Sequence, residues 1–333
     1  MAYTTIDDPT LYFSSTIWTG NATDDRAIVI DGTGMQPDFV WIKSRNDTDN
    51  HRLVDSVRGA TKHMESDGSG AEQTSSNVKT FTSTGVTLST NGAVNANSEL
   101  YASWAWKKEA GVMDIVTYTG NGSNRTIAHN LGVKPAVMIH KGRSNTYNWG
   151  VYHHALSPSN ERSLNFNTTG AVNVDDGGVY YNSTDPTSSV FSLGTNVGYN
   201  ANGATYVSYL FAEKQGYSKF SSYVGNANNN GTFVYTGFKP SFVMIKRTDS
   251  TASWLMFDNK RANPFNEITA DVRADLNNAE DASTSYNNLD FLSNGFKIRK
   301  NNADINASGG NYIFMAFAEN PFVTSSGVPA TAR

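Results

Sequence analysis

The sequence contains no cysteine, which excludes disulfide frameworks, thiolate metal sites and cysteine nucleophiles. Charged residues are scarce, at 17%, and the formal net charge is only -4 with the basic residues scattered along the chain. The sequence therefore lacks the electrostatic footprint of a protein that binds nucleic acid or an anionic membrane, and neither partner is expected. Residues 1–9 lack a basic segment followed by an apolar one, so neither a signal peptide nor membrane insertion is expected.

Aromatic residues, in contrast, make up 12% of the 333-residue chain, which is too many for a disordered protein. Asn, Ser, Thr and Gly are also abundant. These residues favour turns and extended segments over long helices. The composition therefore predicts an all-β protein, and the length is sufficient for two or three domains.

Four short signatures recur in the same order at intervals of about one hundred residues, which indicates internal repeats. The first, aromatic-x-Gly-Asn, lies at 18–21, 118–121 and 223–226. The second is a proline with an apolar run ending in lysine, followed at constant spacing by another apolar stretch; the two parts lie at 37–43 and 51–55, 135–141 and 149–153, and 240–246 and 254–258. Constant spacing predicts a hairpin of fixed register.

In the first copy of this hairpin, alternation places Phe39, Trp41 and Lys43 on one face, opposite Leu53 and Asp55. The third copy should place its counterparts in the same manner: Phe242, Met244 and Lys246 with Met256 and Asp258. The loops between the paired strands are polar and of similar length. We therefore expect them to form exposed tips.

The third and fourth signatures complete each repeat. The third, an aromatic residue followed by glycine, is read at Phe81 and Gly85, Phe191 and Gly194, and Phe291 and Gly295. The fourth has identical spacing in all copies: Asn95, Tyr101, Trp106; Asn200, Tyr206, Phe211; Asn306, Tyr312, Phe317. The residues between its tyrosine and its last aromatic are apolar at nearly every position, which predicts a central strand buried on both faces.

We therefore predict three tandem β-sandwich repeats of a jelly-roll or lectin-like kind, with a short extended C-terminal tail. Each repeat has room for roughly six to eight strands, which is the content of a sandwich. The predicted boundaries are an N-terminal segment 1–10, repeats 11–111, 112–216 and 217–320, and a tail 321–333.

The segments 18–21, 36–46, 53–59 and 101–106, together with the ending 320–333, resemble repeats in structural proteins of tailed bacteriophages, particularly marine ones. This resemblance covers nearly the whole chain. It implies a virion component of a tail fibre or another surface appendage, assembled in the host cytoplasm and released by lysis. It supplies no catalytic residues, and the second repeat departs from it by lacking the Asp-x-x-Arg-Gly element found at 55–59.

Enzymatic and metal chemistry receive little support from the sequence. Glycoside hydrolysis needs two flanking acids, but the available pairs are adjacent in sequence, and adjacent side chains on a strand point to opposite faces; the pairs are Asp7 and Asp8, Asp24 and Asp25, Asp175 and Asp176, and Glu280 and Asp281. His153 and His154, with His129 and His140 in the same repeat, raise the possibility of a metal site. Because position 153 aligns with Asp55 and Asp258, we interpret it as a polar hairpin position. No catalytic, cofactor or metal residue is predicted, and a polysaccharide-degrading enzyme is the weakest alternative.

Two non-catalytic functions remain. One is attachment to the host surface, to a glycan or an outer-membrane protein, through loops on a β scaffold. The other is architectural: a capsid decoration or cement protein, or a tail connector, that contacts other virion proteins. For the first, the candidate binding residues are the hairpin loop tips Arg45, Asn46, Arg143, Asn145, Arg247 and Asp249.

We also predict self-association as a homotrimer, which the resemblance implies because phage fibres are commonly three-fold, and which would raise avidity. The internal triplication leaves a second possibility open. Three repeats of one chain could form a pseudo-three-fold unit without other copies.

Overall fold

The computed structural model describes residues 3–30, 34–175, 177–261, 266–283 and 286–330. The fold is all-β, as the composition predicted, and consists of several antiparallel sheets. Only three short α-helices and two 3-10 turns, Pro9–Leu11 and Ser159–Glu161, interrupt the strands in the described ranges.

The secondary structure falls into three successive groups of similar order, which we call the first, second and third units. The first unit contains β1 (Phe13–Thr19), β2 (Arg26–Val29), β3 (Phe39–Ser44), β4 (Arg52–Asp55), β5 (Lys62–Met64), β6 (Gln73–Thr74), β7 (Val78–Thr82), β8 (Gly85–Leu88), α1 (Gly92–Asn95) and β9 (Leu100–Trp106). The second contains β10 (Met113–Thr119), β11 (Arg125–Ala128), β12 (Val137–Gly142), β13 (Gly150–His153), β14 (Arg162–Asn165), β15 (Asn173–Val174), β16 (Val190–Leu193), α2 (Val197–Asn200) and β17 (Thr205–Phe211). The third contains β18 (Ser218–Val224), β19 (Phe233–Tyr235), β20 (Phe238–Arg247), β21 (Leu255–Asp258), β22 (Val272–Arg273), β23 (Leu289–Leu292), β24 (Gly295–Ile298), α3 (Ala303–Asn306) and β25 (Asn311–Pro321).

Each unit is built from a large sheet and a small one. The large sheets have the strand orders β1-β9-β3-β4-β5-β6, β10-β17-β12-β13-β14-β15 and β18-β25-β20-β21-β22. The small sheets are β2-β8-β7, β11-β16 and β19-β24-β23. In every unit the last strand lies between the first strand and the hairpin of the large sheet. This central position explains why the fourth signature is apolar on both faces.

The predicted hairpins are confirmed in register. Phe39 pairs with Asp55 and Trp41 with Leu53. In the third unit, Phe242 pairs with Asp258, and Met244 with Met256. The second unit forms the same hairpin, with β12 paired to β13.

The two faces of each large sheet are buried in different places. One face packs against the small sheet of its own unit, as Val40 and Ile42 do in the first unit. The other face enters a core that all three units share, where Trp104, Tyr209 and Met315 belong to one continuous cluster. The units therefore differ from independent tandem sandwiches, because each leaves one face of its large sheet for the other two units to cover.

A cyclic set of contacts joins the three units. The indole Nε1 of Trp149 donates to the Glu65 carbonyl at 2.9 Å, which joins the second unit to the first. Trp254 Nε1 donates to the Asn165 carbonyl at 3.1 Å and joins the third unit to the second. His51 Nε2 lies 3.1 Å from the Arg273 carbonyl and joins the first unit to the third. Each unit thus contacts both others, and the chain closes into a ring of three.

The first and fourth signatures form one structural device, which is seen most fully in the first unit. The Trp18 ring stacks on Tyr101 with centroids 5.6 Å apart. The Tyr101 hydroxyl donates to the Gly92 carbonyl and accepts from the Ala96 amide, so it brackets α1. A Cβ on Gly20 would lie 1.8 Å from the Ala96 carbonyl oxygen, so only glycine fits this close approach.

The other units repeat this device. Tyr206 and Tyr312 are fully buried, and each bridges the two ends of its own short helix. A Cβ on Gly120 or Gly225 would lie 2.2 or 2.3 Å from the carbonyl oxygen after the helix, which is also too close for any residue but glycine. The recurring residues therefore specify how the helix of each unit is held against its first strand.

The two ends of the chain lie against each other. The last strand, β25, ends at Pro321, next to the predicted boundary at residue 320. The tail was expected to be extended; instead it turns back, with Val323 bridging Pro329. The Ser325 amide donates to Asp7 at 2.6 Å, so the tail finds a hydrogen-bonding partner in the N-terminal segment. Residues 331–333 of the predicted tail, and Met1 and Ala2, lie outside the described ranges.

Candidate functional site

The predicted loop residues lie on the three hairpin loops, which join β3 to β4, β12 to β13 and β20 to β21. We call these the first, second and third loops, and each contacts a different neighbouring unit. The Arg45 carbonyl accepts from the Glu280 amide, and the Arg143 carbonyl accepts from the Glu72 amide. In the third loop, the Thr248 carbonyl accepts from the Val172 amide. The loops are therefore distributed around the ring, one at each contact between units.

The asparagines and the aspartate differ in exposure. Asn46 and Asp249 are exposed, whereas Asn145 is half-buried. Asn46 Oδ1 accepts from the Leu100 amide at 2.8 Å. Asn145 Nδ2 donates to the Tyr206 hydroxyl at 3.3 Å. Both amides thus help to hold their loops in place.

Arg45 and Arg143 do not stand free at exposed tips, contrary to the expectation. Arg45 donates from Nε and Nη2 to the two carboxylate oxygens of Glu280 at 3.0 and 2.9 Å. Arg143 makes the same bidentate ion pair with Glu72, at 2.9 and 3.0 Å. Planar guanidinium and carboxylate groups match in this geometry, so each arginine joins its unit to a neighbour. Their role in ligand binding stays a prediction.

A buried lysine anchors each loop at its start. The Lys141 ammonium donates to the carbonyls of Ser69 at 3.0 Å and Tyr147 at 2.8 Å, and the first of these lies in another unit. Lys246 donates similarly to the Thr169 carbonyl at 3.0 Å. Burial lowers the pKa of each of these lysines to about 8. Loops fixed in this way are a rigid base for side chains at their tips.

At the contact between the first and second units, the ion pair continues inward as a polar chain. Glu72 also accepts from Arg58 at 3.1 Å, and Arg58 pairs with Asp55. The Tyr209 hydroxyl donates to Asp55 at 2.8 Å and closes the chain. Burial alone would raise the pKa of Glu72, but the hydrogen bond from Arg143 and the charge of Arg58 lower it.

The contact between the third and first units repeats this chain with other residues. Glu280 accepts from Arg261 at 3.1 Å, and Arg261 pairs with Asp258. The ring donor here is Trp104, whose Nε1 lies 2.9 Å from Asp258. Burial acts to raise the pKa of Asp258, but the adjacent Arg261 guanidinium lowers it below its usual value.

The contact between the second and third units lacks this chain. Leu156 takes the place of Arg58, and Val172 that of Glu72. His153 takes the place of Asp55, and its Nε2 lies 3.2 Å from the Phe314 carbonyl. The missing Asp-x-x-Arg-Gly element of the second repeat is the sequence signal of this difference.

A cavity of about 380 Å³ lies at this third contact, and we call it the Asp249 cavity. Its walls include the apolar side chains of Leu156 and Val172 and the polar side chains of Arg162 and Asp249. Asp249 is ion-paired with Arg247 at 2.8 Å, and this pair lowers the pKa of the carboxyl group. Arg162 Nε is buried with no hydrogen-bond partner among the described residues. Asp249, one of the predicted loop residues, thus lies against a cavity.

The other candidates from the sequence have structural contacts. Lys79 forms ion pairs with Asp24 and Asp25 at 2.9 and 2.7 Å. Asp176 lies outside the described residues. Burial lowers the pKa of His140 and His153 to about 3. No group of three or more potential metal-ligating side chains occurs within the part of the chain that the structure describes.

Sequence reasoning missed the partners of the loop arginines. Glu72 lies fourteen residues after Arg58, whereas Glu280 lies nineteen residues after Arg261. The repeat alignment therefore does not place the two glutamates at equivalent positions. Arg162 carried no signal in the sequence either, because its importance depends on the cavity beside it.

No helix in the described ranges is long and apolar enough to cross a membrane.

Comparison with known proteins gives one family. No curated protein matches the chain. The family described as "Domain of unknown function (DUF7483)" matches residues 8–321 in one stretch that includes all three units. The chain therefore belongs to the DUF7483 family.

Proposed function

We propose that this protein is a component of a bacteriophage tail fibre or another virion surface appendage, and that it attaches to the host surface through the third loop. The resemblance of its repeated segments to phage structural proteins supports the virion role. The proposed ligand is a surface glycan or an outer-membrane protein of the host.

The Asp249 cavity carries this proposal. At the other two contacts, the loop arginines and their glutamate partners are used to join the units. At the third contact, Asp249, which is exposed, and Arg162, whose Nε has no hydrogen-bond partner among the described residues, both line a cavity. Polar groups that converge on a partly apolar pocket are typical of ligand sites.

The test is binding of the purified, fluorescently labelled chain to cells of a bacterium that the source phage infects. The double variant Asp249→Asn, Arg162→Gln should bind about tenfold more weakly, as expected when central polar contacts are lost. The matched control is Asp24→Asn, another exposed aspartate in an ion pair but on the first unit, and it should bind like the wild type. Equal binding by both variants would exclude the third loop.

The architectural role remains the second candidate, and the closed ring with its shared core favours it as a compact building block. In that case the wild-type protein binds no host cells but adds to phage particles that lack it. Such a result would reject the attachment role.

We retain the homotrimer as part of the attachment proposal, since three copies of a weak site raise avidity. The ring inside one chain offers the other source of three-fold arrangement. Light scattering on the purified chain separates the two, because a trimer has three times the mass of one chain. A mass equal to one chain would reject the homotrimer in solution.

A further inference from the structure

A second cavity, of about 290 Å³, lies where β1 of the first unit meets the third unit, and we call it the Ser15 cavity. Its floor includes the buried residues Phe13, Ser15 and Asn259. Its mouth includes Lys260, which is exposed, and Glu319, which is half-buried. None of these residues lines the Asp249 cavity.

Two buried polar atoms on the floor have no hydrogen-bond partner among the residues that the structure describes. Ser15 is 3% exposed and Asn259 is 6% exposed, and within those ranges nothing hydrogen-bonds to Ser15 Oγ or Asn259 Oδ1. The amide nitrogen of Asn259 is satisfied, because it donates to Glu319 at 2.8 Å. Buried polar groups are rarely left unpaired, since each costs about 1–3 kcal/mol. A polar molecule in the cavity would satisfy both atoms.

The same space is filled at the contact between the second and third units. Ser15 pairs with Trp104, and the corresponding pair in the third unit is Phe220 with Met315. Phe220 is fully buried there, and the His154 imidazole, which corresponds to Asn259, lies 2.6 Å from the Phe220 carbonyl. The cavity therefore exists because two small polar side chains stand where larger ones fill the other contact.

The wall chemistry fits an uncharged polyhydroxy molecule. Lys260 and Glu319 place opposite charges at the mouth, and Glu319 is also ion-paired with Lys239 at 3.3 Å, so neither sign of ligand charge is favoured. Asn259 Oδ1 requires a donor, whereas the Ser15 hydroxyl both donates and accepts. Neighbouring hydroxyl groups of a sugar ring meet both requirements.

We propose that the Ser15 cavity binds one ring of a neutral saccharide. The hydroxyl groups donate to Asn259 Oδ1 and exchange a hydrogen bond with Ser15 Oγ. This site does not depend on the proposed attachment through Asp249, because the two cavities lie at different contacts and share no residue.

The test uses saturation-transfer-difference NMR on the purified full-length chain. The probes are D-glucose, D-galactose, D-mannose and N-acetyl-D-glucosamine at millimolar concentrations, with glucuronate and glucosamine as charged comparators. At least one neutral sugar should show saturation transfer, and it should bind more tightly than either charged comparator. Absence of a signal from all four neutral sugars means that the cavity holds only water, and overturns the proposal.

Three variants locate the signal. Ser15→Ile introduces the residue found at the equivalent position 115 of the second unit, so it should fold, fill the cavity and abolish the signal. Ser15→Ala keeps the space and removes one hydroxyl, and it should weaken binding by about tenfold. Asp24→Asn, at an exposed ion pair that lines neither cavity, should leave the signal unchanged. A wild-type signal that persists in Ser15→Ile overturns the site, even if cell attachment is found.

Discussion

The three contacts between units use equivalent positions of the hairpins and central strands but differ in chemistry. At the first–second and third–first contacts, a carboxylate is paired with an arginine and receives a hydrogen bond from an aromatic side chain, the Tyr209 hydroxyl or the Trp104 indole N–H. At the second–third contact, the counterpart of Tyr209 and Trp104 is Met315, whose side chain has no hydrogen-bond donor. Met315 lies in the shared core with Leu156. The polar chain is thus present with all its members or absent with all of them.

This difference indicates what the buried ion pairs contribute. A complete buried ion pair stabilises a protein no more than well-packed apolar residues of similar volume, and often less, but an incomplete one is costly. A hairpin with Asp55 therefore needs a neighbour that carries a donor such as Tyr209. Mismatched neighbours would leave a buried charge or donor without a partner, which favours the observed order of units around the ring.

The largest effect should come from the feature that all units share. Tyr101→Ala, Tyr206→Ala and Tyr312→Ala should each lower the free energy of unfolding by about 3–5 kcal/mol, because each removes a buried aromatic ring. The loss should be similar in all three, since the contacts inside the units are equivalent. Chemical denaturation measures it.

The Tyr→Phe variants are the control for this prediction. They keep the ring but lose the hydroxyl that bridges the helix ends, and each should lose about 1–2 kcal/mol. If one Tyr→Ala variant keeps the wild-type stability, that unit is not equivalent to the others.

The second prediction tests the polar chain. Arg58→Leu should destabilise the protein by about 3 kcal/mol, because Asp55 and Glu72 would lose their buried cation. The matched variant gives the first–second contact the residues of the second–third contact. It replaces Asp55 with His, Arg58 with Leu, Glu72 with Val and Tyr209 with Met. It should be more stable than Arg58→Leu alone, since no buried charge remains unpaired. The opposite order would refute the all-or-none interpretation.

The smallest predicted effect is the loss of folding stability at low pH. Burial, followed by the charge of Lys43, lowers the pKa of His51 from its usual 6.5 to about 3. The unfolded chain takes up a proton as the pH falls through 6.5, whereas folded His51 stays neutral. The stability that His51 contributes is therefore present above pH 6.5 and is lost as the pH falls.

His51→Gln removes this titration because glutamine does not ionise. It should keep the contacts of His51, since glutamine can accept a hydrogen bond from Trp41 and donate one to a carbonyl. Thermal unfolding at pH 6.5 and 5 should show that the wild type loses about 2 kcal/mol more than the variant. Asp67 opposes this loss in both proteins: burial raises its pKa to about 6, so the folded state gains stability as it is protonated. Parallel curves for the two proteins would show that His51 does not cause the acid sensitivity.

The sequence was sufficient for features that depend on local periodicity. The all-β class and the register of Phe39 with Asp55 follow from alternation and equal spacing, and both are confirmed. The shared core could not be predicted, because an apolar face shows that a strand is buried but not which residues cover it. Trp104 was correctly expected in a core, yet its partner Asp258 comes from another unit.

The candidate site was less accessible to prediction for a similar reason. Arg45 belongs to a polar loop, which suggested exposure, but its partner Glu280 lies 235 residues away in the chain. The Ser15 cavity depends on which residues are small at a contact between units. Such a property appears only when the facing residues are known.

The shared core also determines when folding can finish during synthesis. The ribosome makes Trp41, Trp104 and Trp106 in the first third of the chain, whereas Met315 and Phe317, which lie in the same core, are on the last strand, β25. Until that strand emerges, the inner face of the first unit has no complete cover and exposes large aromatic side chains to solvent. Nascent chains with exposed apolar surface are prone to aggregate. The nascent chain is therefore most prone to bind chaperones, and to misassemble with neighbouring nascent chains, before its final strand is made.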